Sequence, residues 1–316
     1  MSKILITARS FLKSANAQNL LKNEHYELIF NPYDRPLKED EMLNYVNGID
    51  AIIAGLDEIT EKVIANAMPT LKIIARHGVG YNNVDLNAAK KFGVFVTITP
   101  KANSVAVAEL TIGLMIALAR KITVIDEKIR NESLQRIMGT ELNDKTLGII
   151  GLGNIGSEVV KRLYYFNMKI LAYDKYKTSE MIEKYNVSYV SLDELLTQSD
   201  FITLHMNVTD ETMGLINKNN LEKMKKNVIL INTARSELII EKDLYDVLKN
   251  KKIAGAGIDV FENEPLKESP FFELENVILT SHIGAYTFES VDKMAIMAAQ
   301  EVIRVLNGKE PKNRVC

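Results

Sequence analysis

Thr146-Leu147-Gly148-Ile149-Ile150-Gly151-Leu152-Gly153-Asn154-Ile155-Gly156 decides how this chain is read. A β-type run ends in three glycines spaced G-x-G-x-x-G, and a helix-forming stretch, Ser157 to Phe166, opens directly behind them. Strand, tight turn and helix in that order can seat a pyrophosphate. Gly151 allows the turn, Gly153 lets the backbone approach the phosphates, Gly156 lets helix and strand pack closely, and the helix start offers unpaired N–H groups to the anion. A second apolar run, Met168 to Tyr173, leads to Asp174, roughly 20 residues beyond the glycines, where a carboxylate can accept both ribose hydroxyls. The same carboxylate repels a 2′-phosphate, so NAD is expected over NADP, with Lys175 and Lys177 partly offsetting that repulsion.

Outward from this stretch, short apolar runs alternate with helical spacing in both directions. Downstream lie Ser188 to Val190, Phe201 to Leu204, Val228 to Ile231, Ala254 to Ile258 and Val277 to Leu279. Upstream lie Ile4 to Ala8, Leu28 to Phe30, Ala51 to Ala54, Leu71 to Ala75 and Val94 to Thr97. Alternation of this kind specifies parallel sheets covered by helices on both faces, so the fold class is α/β with two doubly wound domains. Between the two series, Ser104 to about Arg130 reads as one long helix, and Thr287 to Leu306 reads as an amphipathic helix after the last strand.

Bulk properties narrow the classes of function. The chain has 316 residues, 47% of them hydrophobic and 25% charged, which suits about two globular domains. A net charge of −2 and a pI near 6.2 leave no footprint for nucleic acid or an anionic membrane. The run Ile4-Leu5-Ile6 is too brief for a signal-peptide core, and Val105 to Ala119 contains Glu109 and falls short of a membrane span, so a cytoplasmic protein is expected. Cys316 is the only cysteine, and His25, His77, His205 and His282 are too scattered for metal-ligand spacing. No metal is expected.

Ligands of open α/β sheets sit outside the carboxyl ends of the strands, and three residues there form a chemical set. Arg235 follows the Val228 run, Glu264 follows Gly257 to Asn263, and His282 follows Ile278 to Ser281. An arginine can grip an α-keto carboxylate with two N–H groups while polarising the adjacent carbonyl. A histidine can give and take one proton near neutrality, and a glutamate bonded to it orients the ring and stabilises its charged form.

These motifs, in this order, resemble the D-isomer-specific 2-hydroxyacid dehydrogenase family. The likeness runs through Arg76-His77-Gly78-Val79-Gly80-Tyr81-Asn82-Asn83-Val84-Asp85, Val107-Ala108-Glu109, Gly139 to Gly156, Leu204-His205 to Thr212, Asn232-Thr233-Ala234-Arg235, Gly257 to Pro265 and Ser281-His282-Ile283-Gly284. The resemblance implies catalytic roles for Arg235, Glu264 and His282. It implies a cofactor set of Gly151, Gly153, Asn154, Ile155, Gly156, Asp174, His205, Thr212, Thr233, Asp259 and Val107, with Asp259 on the nicotinamide carboxamide. It implies a substrate set of Arg76, Val79, Gly80 and Arg235, the amides of Val79 and Gly80 receiving the substrate carboxylate.

The resemblance further implies a Rossmann-type NAD domain over residues 100–287 and a flavodoxin-like substrate domain over 1–99 and 288–316. It implies hydride transfer between NAD and a D-2-hydroxy acid in a homodimer built partly on the helix after Pro100. 3-Phosphoglycerate is the first expected substrate, with hydroxypyruvate, glyoxylate or D-lactate chemistry as the alternative. Some relatives act as NAD-sensing co-repressors, the alternative of a different class. Ser236 and Asn207 depart from the family's usual glycine and proline, and a differently shaped turn beyond Arg235 is expected.

Overall fold

The N-terminal apolar runs become strands β1 (Lys3–Ile6), β2 (Glu27–Phe30), β3 (Ala51–Ala54), β4 (Ile73–Arg76) and β5 (Phe95–Thr97) in the computed structural model, which describes residues 1–316. They form one sheet of order β2-β1-β3-β4-β5 with every pair parallel, the flavodoxin-like arrangement. A parallel sheet is covered on both faces, which is why its strands read as continuous apolar runs. Ile4, Ile6, Ile53 and Ile73 go to one core, and Leu5, Ile52, Ile74 and Val96 go to the other. The crossover helices are α1 (Ala15–Asn23), α2 (Glu39–Met42), α3 (Glu61–Asn66) and α4 (Leu86–Phe92). Ser14, Thr60 and Asp85 cap α1, α3 and α4 by accepting a backbone N–H three residues on.

The single helix expected from Ser104 to Arg130 is two helices, α5 (Ser104–Ala119) and α6 (Ile122–Arg130). Lys121 between them sits in the left-handed region at φ 57°. The Ala119 carbonyl, which a continuing helix would give to residue 123, instead accepts from Thr140 N at 2.8 Å. The β-branched run Ile122-Thr123-Val124-Ile125 has weak helix propensity, so little opposes the break. The two helices differ in environment: α5 buries Val107, Thr111, Leu114, Met115 and Leu118, whereas α6 buries no residue.

The second sheet is built from β6 (Thr146–Ile150), β7 (Lys169–Tyr173), β8 (Ser188–Tyr189), β9 (Phe201–Leu204), β10 (Ile229–Asn232), β11 (Gly255–Ile258) and β12 (Val277–Leu279). Helices α7 (Asn154–Leu163), α8 (Ser179–Tyr185), α9 (Leu192–Gln198), α10 (Lys218–Lys223) and α11 (Glu241–Lys249) lie between the strands in sequence. The strand order is β12-β11-β10-β9-β6-β7-β8, all parallel, with the order reversing beside β6. That is the Rossmann arrangement with one added strand, and the reversal point is where a dinucleotide binds. Leu147, Ile149 and Ile231 face a core shared with α5 and α7, and Ile150, Leu204 and Leu230 face the opposite one.

Helix α12 (Phe288–Leu306), capped by the Thr287 hydroxyl, returns to the first sheet. Its Ala295, Ala298, Ala299, Val302 and Val305 pack into the core that holds Ile4, Ile6, Ile53 and Ile73. The chain therefore divides into one unit of Met1–Asn103 with Ala285–Cys316 and a second of Ser104–Gly284. No helix is long and apolar enough to cross a membrane.

Candidate active site

In the second unit the glycine turn joins β6 to α7. Gly151 has φ +95°, and a Cβ there would lie 2.6 Å from Met206 N, so only glycine fits. Gly153 caps α7, and a Cβ added there would meet no protein atom within 4 Å, leaving its backbone open to a ligand. Asn154 and Ile155 follow in the first turn of α7, whose N–H groups have no carbonyl four residues back within the helix, and Gly156 is buried against the Gly151 carbonyl. Asp174, just past β7, accepts from Leu152 N at 2.6 Å and from Tyr176 N at 2.8 Å, which fixes its carboxylate beside the turn.

His205, at the end of β9, sits next to the same turn: its N–H donates to the Ile150 carbonyl at 2.8 Å. Both ring nitrogens are shielded from solvent and have no protein partner, and burial pushes the imidazole down to about 3, so it is neutral at physiological pH. A buried polar group without a partner is costly, and a bound group supplying one removes that cost. The open Gly153 backbone, the α7 N–H groups, the Asp174 carboxylate and the orphaned His205 ring fit a dinucleotide.

The ends of β10, β11 and β12 carry the other expected residues. Asn232, 1% exposed, closes the turn after β10: its side chain accepts from Ala234 N at 3.0 Å and donates to the Arg235 carbonyl at 2.8 Å. Arg235 Nη1 donates to the Ala234 carbonyl at 2.6 Å. Burial lowers the Arg235 pKa, with Glu237 and Glu264 opposing, and the group stays charged. His282 Nδ1 lies 2.8 Å from Glu264 Oε2, with the two side chains only 30% and 29% exposed. Burial raises the Glu264 carboxyl, but the hydrogen bond and charge of His282, the Phe261 amide and the Arg235 charge outweigh it and hold it below its ordinary value. With Nδ1 engaged, Nε2 of His282 is the nitrogen left for a substrate.

His282 is itself left-handed at φ 54°. The bonds that impose this converge on Asp259, 1% exposed at the end of β11. Its carboxylate accepts from Thr280 Oγ1 at 2.6 Å, Ile283 N at 2.9 Å and Gly284 N at 2.8 Å, and its carbonyl accepts from His282 N at 2.8 Å. A non-glycine residue at positive φ persists where its surroundings over-determine it. Asp259 thus binds the histidine loop in addition to the contact expected from it.

The remaining cofactor candidates are partly spent on the scaffold. Thr233 Oγ1 lies 2.9 Å from Thr111 Oγ1 on α5, inside the protein, so its hydroxyl anchors the Arg235 turn. Val107, one helical turn before Thr111, packs beside Gly284. Thr212 donates to the Asn207 carbonyl at 2.8 Å and accepts from Thr209 N at 2.8 Å, shaping the loop after β9. Ser236 starts a 3₁₀ turn with no positive φ, so serine in place of glycine adds no backbone strain there. Thr111, Asn232 and Thr280 have no role assigned from the sequence; each acts through side-chain hydrogen bonds that no periodicity announces.

The first unit places its candidates at the end of β4. Arg76 is 3% exposed; its Nη1 donates to the Ala54 carbonyl at 2.6 Å and its Nε to the Gly80 carbonyl at 2.8 Å. Arg76, expected in the substrate set, is a buried guanidinium that holds backbone carbonyls. Val79 and Gly80 are half-buried in the turn that Arg76 closes.

With the geometry in hand, comparison with known proteins gives consistent likenesses. The pattern described as "D-isomer specific 2-hydroxyacid dehydrogenase, NAD binding domain" matches residues 112–284. The D-3-phosphoglycerate dehydrogenase of Methanocaldococcus jannaschii is 42% identical over 88% of this chain and 54% of its own length, so the chain spans about half of that relative. The glyoxylate reductase of Korarchaeum cryptofilum is 36% identical over 92% of this chain and 90% of its own. Among solved structures, D-lactate dehydrogenase from Aquifex aeolicus, in complex with NAD and lactic acid, superposes with a TM-score of 0.87 at 32% identity, covering 96% of each chain.

Proposed function

The chain belongs to the D-isomer specific 2-hydroxyacid dehydrogenase family, and from that premise we propose that it catalyses NAD-dependent, reversible oxidation of a small D-2-hydroxy acid to the 2-keto acid. The observation that carries this reading is the 2.8 Å Glu264–His282 pair, in the same unit as the glycine turn and within electrostatic reach of Arg235. NAD, held by the Gly151–Gly156 turn, Asp174 and His205, would supply the hydride acceptor for oxidation at C2 and the donor for reduction. Neutral His282 removes the hydroxyl proton through Nε2 during oxidation, and protonated His282 gives it back to the carbonyl oxygen during reduction. Glu264 stabilises the imidazolium that forms and holds the ring. Arg235 polarises the carbonyl of the 2-keto acid. Within the first unit, the amides of Val79 and Gly80 are the groups that receive a substrate carboxylate.

Asp174 selects NAD over NADP by charge. Two readings of the acid have support. The buried Arg76 favours an unphosphorylated acid, glyoxylate or hydroxypyruvate, as does the glyoxylate reductase likeness. The 42% identical phosphoglycerate dehydrogenase favours 3-phosphoglycerate, the substrate expected first from sequence. A panel of glyoxylate, hydroxypyruvate, pyruvate and 3-phosphohydroxypyruvate, read by loss of NADH absorbance, tests the proposal: turnover of any of them supports it, and the acid turned over fastest decides between the two readings. Binding of NADH with no turnover of any of them would favour an NAD-sensing binding protein instead.

We also propose that two copies associate through α6 rather than α5. Ile122 and Ile129 on α6 are 50% and 57% exposed and Leu134 and Met138 beyond it are 87% and 94% exposed, an apolar surface that a monomer leaves in water. Equilibrium sedimentation of Leu134→Asp with Met138→Asp should show a monomer where the unaltered chain is a dimer.

A further inference from the structure

Resting on the reading that the amides of Val79 and Gly80 receive the substrate carboxylate, we propose that Arg76 is a positioning residue that pre-forms this receiving turn and does not touch the substrate. At 3% exposure its guanidinium lies beneath the turn it holds, with Nε on the Gly80 carbonyl and Nη1 on the Ala54 carbonyl. Charge-assisted bonds to two carbonyls tie the loop after β4 to the end of β3. Gly78, at φ +150°, gives its carbonyl to Thr99 N at 2.9 Å, so the turn is gripped from the far side as well.

A second strut runs in parallel. Asn83 Nδ2 donates to the Asp57 carbonyl at 2.6 Å and the Gly55 carbonyl at 3.2 Å. Asp57, with no exposure, spends its carboxylate on Leu37 N at 2.8 Å and Gly55 N at 3.0 Å. The loop after β3 is thereby a fixed platform, and Arg76 and Asn83 fasten the carboxylate-receiving turn to it at both ends. An anion then meets N–H groups already aimed, without the ordering cost of a mobile loop.

A positioning role and a contact role separate across substrates. If Arg76 met a phosphate, Arg76→Gln would lose activity on 3-phosphohydroxypyruvate far more than on glyoxylate. As a positioning residue, it affects every 2-keto acid alike, since all share the carboxylate. For Arg76→Gln the expected result is a rise in KM of roughly tenfold for each accepted acid, equal among them within about threefold, with kcat changed less and NADH affinity unchanged. Asn83→Ala, which places no new polar group in the core, should give a smaller uniform rise and serves if Arg76→Gln does not fold. Amide hydrogen exchange of the peptide spanning residues 77–82 reads the turn without any turnover and should quicken in either variant. A KM loss confined to the phosphorylated acid, unchanged KM for all, or unchanged exchange in the folded variants would overturn the proposal. Failure of the wild-type chain to turn over any acid, with exchange still quickened, would instead count against the proposed function alone.

Discussion

Both sheets end in loops that carry charged side chains, yet the two units use that charge in opposite ways. In the second unit Glu264 and His282 are about 30% exposed and bonded to each other, with one imidazole nitrogen left over. In the first unit Asp57 and Arg76 are 0% and 3% exposed, and their carboxylate and guanidinium bond backbone amides and carbonyls. Position at a strand end therefore does not distinguish the two uses. Glu264, bonded to a histidine, is placed to stabilise a proton carried by that ring, whereas Asp57 and Arg76, bonded to amides and carbonyls, fix the shape of a loop. Asp259 shows that the division is not by unit, since it lies in the second unit beside the proposed catalytic His282 and is bonded as a scaffold.

The largest expected effect comes from the reactive class. His282→Ala should lower kcat roughly a thousandfold, within the range for loss of a general acid–base group, while NADH binding measured by fluorescence stays near wild type. A loss below tenfold would place His282 with the scaffold. Asp259→Asn should come next. It removes charge and turns an NH₂ group toward backbone N–H donors, so the left-handed His282 loosens and kcat falls on the order of 10- to 100-fold. Steady-state kinetics beside the His282 variant measures this, and an additive double variant would show that Asp259 does not act through His282.

The smallest effect is on stability and belongs to buried imidazoles. Burial, with the Arg76 charge adding, lowers His77 from 6.5 to about 4, and burial lowers His205 to about 3. The unfolded chain protonates both as pH falls through 6.5 and the folded chain does not, so stability is lost as pH drops from 6.5 toward 4. Glu264, held below its ordinary 4.5, adds its own loss only at the bottom of that window. Tm should fall by several degrees across it, and His77→Phe should flatten part of the slope. A Tm independent of pH in this range would mean that neither ring is neutral by burial.

The sheets were legible in the sequence because parallel strands are buried on both faces and so are written as unbroken apolar runs, such as Ala51–Ala54 and Phe201–Leu204. The glycine turn was legible because its spacing is a steric demand, met where Gly151 has no room for a Cβ. The break at Lys121 was hidden, since the group that ends α5 is Thr140, which takes the Ala119 carbonyl from 21 positions away. Arg76 could be seen as a cation at a strand end, but its partners, Ala54 and Gly80, are carbonyls that every residue has. Pattern reveals which face is buried; it does not reveal which acceptor a polar group reaches.

In the proposed reaction the second unit's loops move a proton while C2 exchanges a hydride with NAD. The most direct measurement uses NADH carrying deuterium at the transferring position of C4, with hydroxypyruvate, followed by analysis of the product. D-glycerate with deuterium bonded to C2 is the expected product. Product of the L configuration, or D-glycerate with solvent hydrogen at C2, would contradict it.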